Sequence, residues 1–264
     1  MRRAIICVSI LCSCLTARAE APKFSFVSAE AKFGGGDSSD STLRYSRIMH
    51  SLELRYRFFG FLEAYTYLAG QTGWMQVRAP APEIKSMNFY LYPSLLVGQG
   101  VEVRKPLRDL IEFSAFAEIY SSLHTAVAKT QKINADLPAD SPSLVLNAYD
   151  TNVGELGFKA GIRAQKNFSK WGLRFEIGYF LTDLDILTSP KPGIFSAVPA
   201  KVSEIDRMSQ VAHAAIGASV RLPKRLYLTL DAGIDIGKSG SANSPEGIGV
   251  VGYSASIGLG YAFR

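Results

Sequence analysis

The grouping of residues in this chain most suggestive of chemistry is "TLDAGIDIGKSGS" (residues 229–241). A small residue, Ala232, is followed four residues on by Gly237-Lys238-Ser239, the loose form of a phosphate-binding loop. Such a loop needs a buried strand, a glycine turn and then a helix whose N-terminus faces the phosphates. Here Lys238 is followed by "SGSANSPEG", which has no helical periodicity and ends in turn formers. Upstream, Leu226, Leu228, Leu230, Ala232, Ile234 and Ile236 alternate with Tyr227, Thr229, Asp231, Gly233 and Asp235. A period of two is a β-strand with one apolar and one polar face, so the segment is a strand running into a loop.

Acid–base chemistry has few candidates. His124, His213 and the pair Asp183 and Asp185 in "LTDLDIL" fall near predicted strand ends, where a histidine activated by a carboxylate acts as a general base. The aspartates equally suit a bound cation or a solvated strand end. No spacing matches HExxH or GxSxG. His213 lies among alanines in "VAHAAIG", a setting that suits a hydrogen-bonded histidine on the inward face of a strand. The sequence assigns no catalytic residue, no cofactor and no metal ligand.

The first residues have the pattern of an export signal. Arg2 and Arg3 precede the apolar run "AIICVSILCSCL", and "ARA" (residues 17–19) offers a small-x-small cleavage site. Cleavage after Ala19 leaves 264 − 19 = 245 residues, a single expected domain over 20–264. A lipoprotein reading would acylate Cys14 within "LCSC" instead. Cys7, Cys12 and Cys14 all lie in this segment, so the mature chain has neither disulfides nor thiolate metal sites. Losing Arg2, Arg3 and Arg18 takes the net charge from +6 to 26 − 23 = +3, too mild for a nucleic-acid partner.

Beyond the signal no apolar run reaches the roughly 20 residues of a membrane helix. A place in a membrane therefore requires a closed barrel, the other structure that satisfies its own backbone in lipid. Alternation recurs in "LIEFSAFAEIY" (110–120), "LGFKAGIRA" (156–164), "LRFEIGYFL" (173–181) and "YSASIGLGYAF" (253–263), and more weakly over about 23–33, 43–58, 61–76, 87–104 and 207–222. With the strand at 226–236 these make ten. Four connections are tight, at 59–60, 105–109, 167–172 and 223–225; five are longer, at 34–41, about 77–86, 127–150, 188–206 and 238–247. Short and long connections alternate, as periplasmic turns and extracellular loops do in transmembrane barrels.

Aromatic residues gather near predicted strand ends: Tyr56, Phe58, Phe59 and Phe61; Phe168, Trp171 and Phe175; Tyr261 and Phe263; and, at the other end, Trp74 and "FYLY" (89–92). They suit two interfacial girdles. The fold class expected is all-β, a transmembrane antiparallel up-and-down barrel of about ten strands, with eight or twelve as neighbouring counts. With its terminal strand "GLGYAF" ending on aromatic Phe263, here followed by Arg264, the chain resembles the small bacterial outer-membrane β-barrel proteins. That resemblance implies a Gram-negative outer-membrane location, a monomer, contact with outer-membrane lipid and lipopolysaccharide, and insertion by the barrel-assembly machinery.

With apolar faces turned to lipid, the other faces turn inward. The candidate lumen charge network is Glu53, Arg55, Arg57, Glu63, Glu102, Arg104, Glu112, Glu118, Glu155, Lys159, Arg163, Arg174, Glu176, Arg221, Asp231 and Asp235, with Glu30 and Lys32 on the same face. Either these charges pair into a structural core or they line a narrow porin-like water path. Inward glycines, Gly157, Gly161, Gly178, Gly217, Gly233, Gly258 and Gly260, reduce side-chain volume on one side. The near-neutral mixture of charges speaks against strong ion selectivity. Two other functions are compatible with the pattern: surface binding through long loops with apolar tips at 144–146 and 194–195, and hydrolysis at the rim.

Overall fold

The computed structural model describes residues 23–38, 43–81, 84–107, 111–122, 126–135, 149–190, 203–241 and 244–263. The signal segment, His124 and the apolar loop tips at 144–146 and 194–195 lie outside the described residues. Eleven strand segments follow one another: β1 (Lys23–Ser38), β2 (Leu43–Phe59), β3 (Leu62–Ala81), β4 (Ile84–Leu107), β5 (Ile111–Ser122), β6 (Ala126–Ala135), β7 (Tyr149–Asn167), β8 (Trp171–Pro190), β9 (Ser203–Arg221), β10 (Leu226–Ser241) and β11 (Ser244–Ala262). β5 and β6 both lie between β4 and β7, so they are successive pieces of one stave. The wall therefore has ten staves. It closes where β1 runs antiparallel to β11 from Phe26 opposite Ala262 to Ser38 opposite Val250.

Several expected loops are largely ladder. β1 continues through Gly34, Gly35 and Gly36 to Ser38; Ala81 pairs with Ile84 across the 77–86 segment, and Ser241 with Ser244 across 238–247. β6 and the start of β7 take up both ends of 127–150, and β8 and β9 both ends of 188–206. Alternation reports side-chain faces only. A glycine- or serine-rich stretch has none to report, yet its backbone still extends a ladder begun in the rows before it.

Burial is inverted relative to a soluble domain. Among the described residues the buried set contains nine polar or charged residues, Glu63, Glu102, Glu155, Glu176 and His213 among them, against five hydrophobic ones. The outer face carries exposed Leu52, Leu68, Ile162, Ile177, Ile216 and Leu230. At the end bearing the tight turns this apolar belt is rimmed by aromatics: Phe24 sits 4.8 Å from Tyr56 and 6.0 Å from Phe263, and Phe168 stacks on Trp171 at 3.9 Å. Side chains at 89–92 are outside the description of the opposite rim.

Stagger decides which inward residues meet. Register partners lead from Glu102 through Phe116, Gly161, Gly178, His213, Asp235, Gly252, Gly36, Tyr45 and Met75 back to β4 at Phe89, 102 − 89 = 13 residues from the start. Ten strands about 4.7 Å apart with that displacement tilt by about 40°. Each register row thus climbs the wall by about 3 Å per strand, so residues at one height on next-but-one strands are offset by about two positions.

Three inward tyrosines lie over the glycine opposite them. Tyr65 pairs with Gly100, Tyr67 with Gly98 and Tyr120 with Gly157, and a Cβ on any of these glycines would fall inside the facing ring. The missing side chain lets the ring fold down against the wall, and Tyr65 and Tyr67 then both donate to Glu118, at 3.0 and 2.9 Å. Gly98→Ala should therefore displace Tyr67 and destabilise the barrel by about 1–3 kcal/mol, as overpacking does. Urea titration of the refolded protein measures it, and Tyr67→Ala in the same chain should restore most of the loss.

Candidate functional site

Alternation on each strand sends the charges inward, and the stagger assembles them. Arg55 on β2 donates to Glu53 at 2.7 Å and to Glu102 on β4 at 2.7 Å. Arg163 on β7, two residues below the row of Glu102 and two staves along, donates to Glu102 at 2.9 Å and to Glu176 at 2.6 Å. Glu176 also pairs with Lys159 and lies 3.7 Å from His213 Nε2, whose Nδ1 is 2.5 Å from Asp235. Glu63 receives Arg57 at 2.7 Å and Arg104 at 2.8 Å, and Arg104 reaches Glu112 at 3.4 Å. One connected chain of charges thus runs from β2 to β10.

Two further contacts lie beyond that chain. Arg174 on β8 reaches Asp231 on β10 at 2.6 Å, passing over Gly217 on β9, where any Cβ would collide with the Asp231 carboxylate. Nearer the opposite end, Arg47 on β2 crosses the lumen to Glu155 on β7 at 3.1 Å. Glu155 also accepts from Tyr120 at 3.2 Å and from Gln71 at 3.4 Å. Cations also cover the inward rings: Arg163 lies 4.0 Å from the Phe116 centroid and Lys159 4.6 Å from that of Phe180.

Fifteen of the sixteen candidate residues therefore hold charged or hydrogen-bonded partners, Glu118 through its two tyrosines. Arg221 does not join them; it lines the lumen near the tight-turn end. Sequence reasoning missed Arg47, although it shares the parity of Glu53, Arg55 and Arg57. It also gave no role to Tyr65, Tyr67, Tyr120 and Gln71, whose hydroxyls and amide complete the contacts. Such groups look like ordinary strand residues until a carboxylate on another stave is placed against them.

His213 is buried in the lumen in the middle of β9, as the inward hydrogen-bonded reading expects and away from the rim that a hydrolytic role would need, stacked on Phe180 at 4.6 Å and opposite Gly178 and Asp235. Asp183 lies five residues further along β8 from Gly178, opposite Met208, so these two do not form a common site. Among the described residues no group of three His, Cys, Asp or Glu side chains is arranged to hold a metal.

The network is anchored mainly on β2–β8 and reaches β9 and β10 through His213, Asp231 and Asp235. Otherwise the side formed by β1, β9, β10 and β11 presents Ser28, Ala215, Gly217, Thr229, Gly233, Ser254, Ser256 and Gly258. Between the two sides lies a cavity of about 650 Å³. Its lining runs from the turn at Asn167, Ser169 and Lys170 as far as Lys32, His213 and Ser254.

No protein-family model matches the sequence, and no curated protein is significantly similar to it. Solved structures do match the architecture. The outer membrane protease OmpT from Escherichia coli aligns over 94% of this chain and 100% of its own, with a TM-score of 0.52 at 8% identity. The translocator domain of the autotransporter NalP from Neisseria meningitidis aligns over 97% of this chain and 93% of its own, with a TM-score of 0.49 at 12% identity. At 8% identity the likeness to the protease is one of fold alone. A closed wall of ten antiparallel staves, apolar outside and charged within, is the fold of the small outer-membrane β-barrels.

Proposed function

We propose that the protein is a narrow passive pore of the bacterial outer membrane, exported by its N-terminal segment and oriented with its tight turns toward the periplasm. One observation carries this reading: the charges are drawn to one side by mutual pairing, and small polar residues opposite leave the cavity of about 650 Å³. A barrel held shut as a purely structural envelope element would have filled that side as well. The outward residues meet lipid and lipopolysaccharide, and no catalytic step is assigned.

Planar-bilayer recording of refolded residues 20–264 tests the proposal. Discrete current steps that grow with salt are expected. Ser256→Phe, which places a ring in the cavity from β11, should reduce the step severalfold, whereas Ile257→Phe, on the lipid side of the same strand, should leave it unchanged. A folded, heat-modifiable barrel with no current would mean that the lumen is a structural plug.

A further inference from the structure

We infer that the open side of the lumen selects small anions, and that Lys32 is the residue that sets this preference; the inference rests on the pore reading. Counted by composition, the inward charges nearly cancel. Counted by what they touch, they do not. Among the described acids facing the lumen, Glu30 alone has no bonded partner, the others being held by arginine, lysine, histidine or tyrosine. Lys32, Lys170 and Arg221 line the same cavity, and none of them makes an ion pair with a described residue.

A paired charge is felt at a distance only as a dipole, whereas an unpaired one keeps its full field. Among the described residues the open path therefore carries three unpaired cations against one unpaired anion. Lys32 sits at the inner part of the cavity, opposite Ser256 on β11 and Met49 on β2. Glu30 lies two residues before it on the same inward face, and Asp235 on β10 is already held by His213. Ser256, opposite Lys32 in the register, and Ser254, two residues before it, add hydroxyl donors to the same cavity wall. An anion that sheds part of its hydration here meets a cation and two donors, while a cation meets only Glu30.

The test is the reversal potential of the full mature chain in a planar bilayer under a KCl gradient. Chloride should permeate at least about threefold better than potassium, as a focused field of this kind produces. Lys32→Gln should lower the ratio toward one and Lys32→Glu should invert it, while Glu30→Gln should raise it. Heat-modifiability on gels verifies that each variant is folded. A conducting wild-type barrel that prefers potassium, or a ratio indifferent to both Lys32 variants, overturns the anion assignment and leaves the pore intact. A folded barrel without current overturns both.

Discussion

Glu102→Ala is expected to destabilise the barrel by about 3–5 kcal/mol, the cost of breaking a buried ion pair by removing one partner. Glu102 is only 3% exposed and is the residue on which the two halves of the charge chain meet. It receives Arg55 from β2 and Arg163 from β7 and lies 3.4 Å from Arg104, so its removal leaves three guanidiniums facing one another. The measurement is urea-induced unfolding of the refolded protein in lipid, with Glu112→Ala for comparison. Glu112 lies at the half-open edge of the network and meets Arg104 alone, so its loss should cost about 0–1 kcal/mol, as exposed pairs do. If both variants cost equally little, water already solvates the arginines and the chain of pairs is not what stiffens the wall.

Ile177→Arg should cost about 2–4 kcal/mol, the penalty for arginine on the lipid face near the middle of an outer-membrane barrel. Ile177 is 63% exposed, the seventh residue of β8 counted from the tight turn, between inward Glu176 and Gly178. In water such a change on a solvent-facing strand would cost almost nothing. Val220→Arg supplies the depth control, because Val220 lies at the end of β9 beside the turn at Pro223–Arg225 and should cost about 0–1 kcal/mol. A graded penalty from Ile177 to Val220 is the signature of a bilayer around the belt. Two equal, negligible penalties would mean that the apolar face does not meet lipid.

The two variants probe the two kinds of information that the chain carries. Ile177 and Glu176 fall on opposite faces by parity alone, and parity is local: it needs no knowledge of which strand lies alongside. Leu226 to Ile236 could likewise be told from a phosphate loop by alternation over eleven residues. The glycine stretch of β1 and the serine-rich ends of β10 and β11 look like loops in sequence, because residues without large side chains show no parity while their backbones remain free to pair.

Contacts across the lumen obey a different rule. Arg55 and Glu102 are 47 residues apart in sequence, Arg163 and Glu102 are 61, and Arg47 and Glu155 are 108, and no pair lies on adjacent staves. Each depends on the number of staves, the tilt and the shear together, since a change of one residue in the stagger would turn the partner to the other face of the wall. Parity alone puts His213 on the inward face without fixing its height, and it offers Arg47 no partner. The sequence by itself determined that the fold is an all-β barrel of about ten strands, and which residues of those strands face outward and which inward, because a period of two is written residue by residue. Only the closed barrel decided which acids are neutralised, which side of the lumen stays open and that Lys32 remains unpaired there, because those follow from distances between strands far apart in the chain.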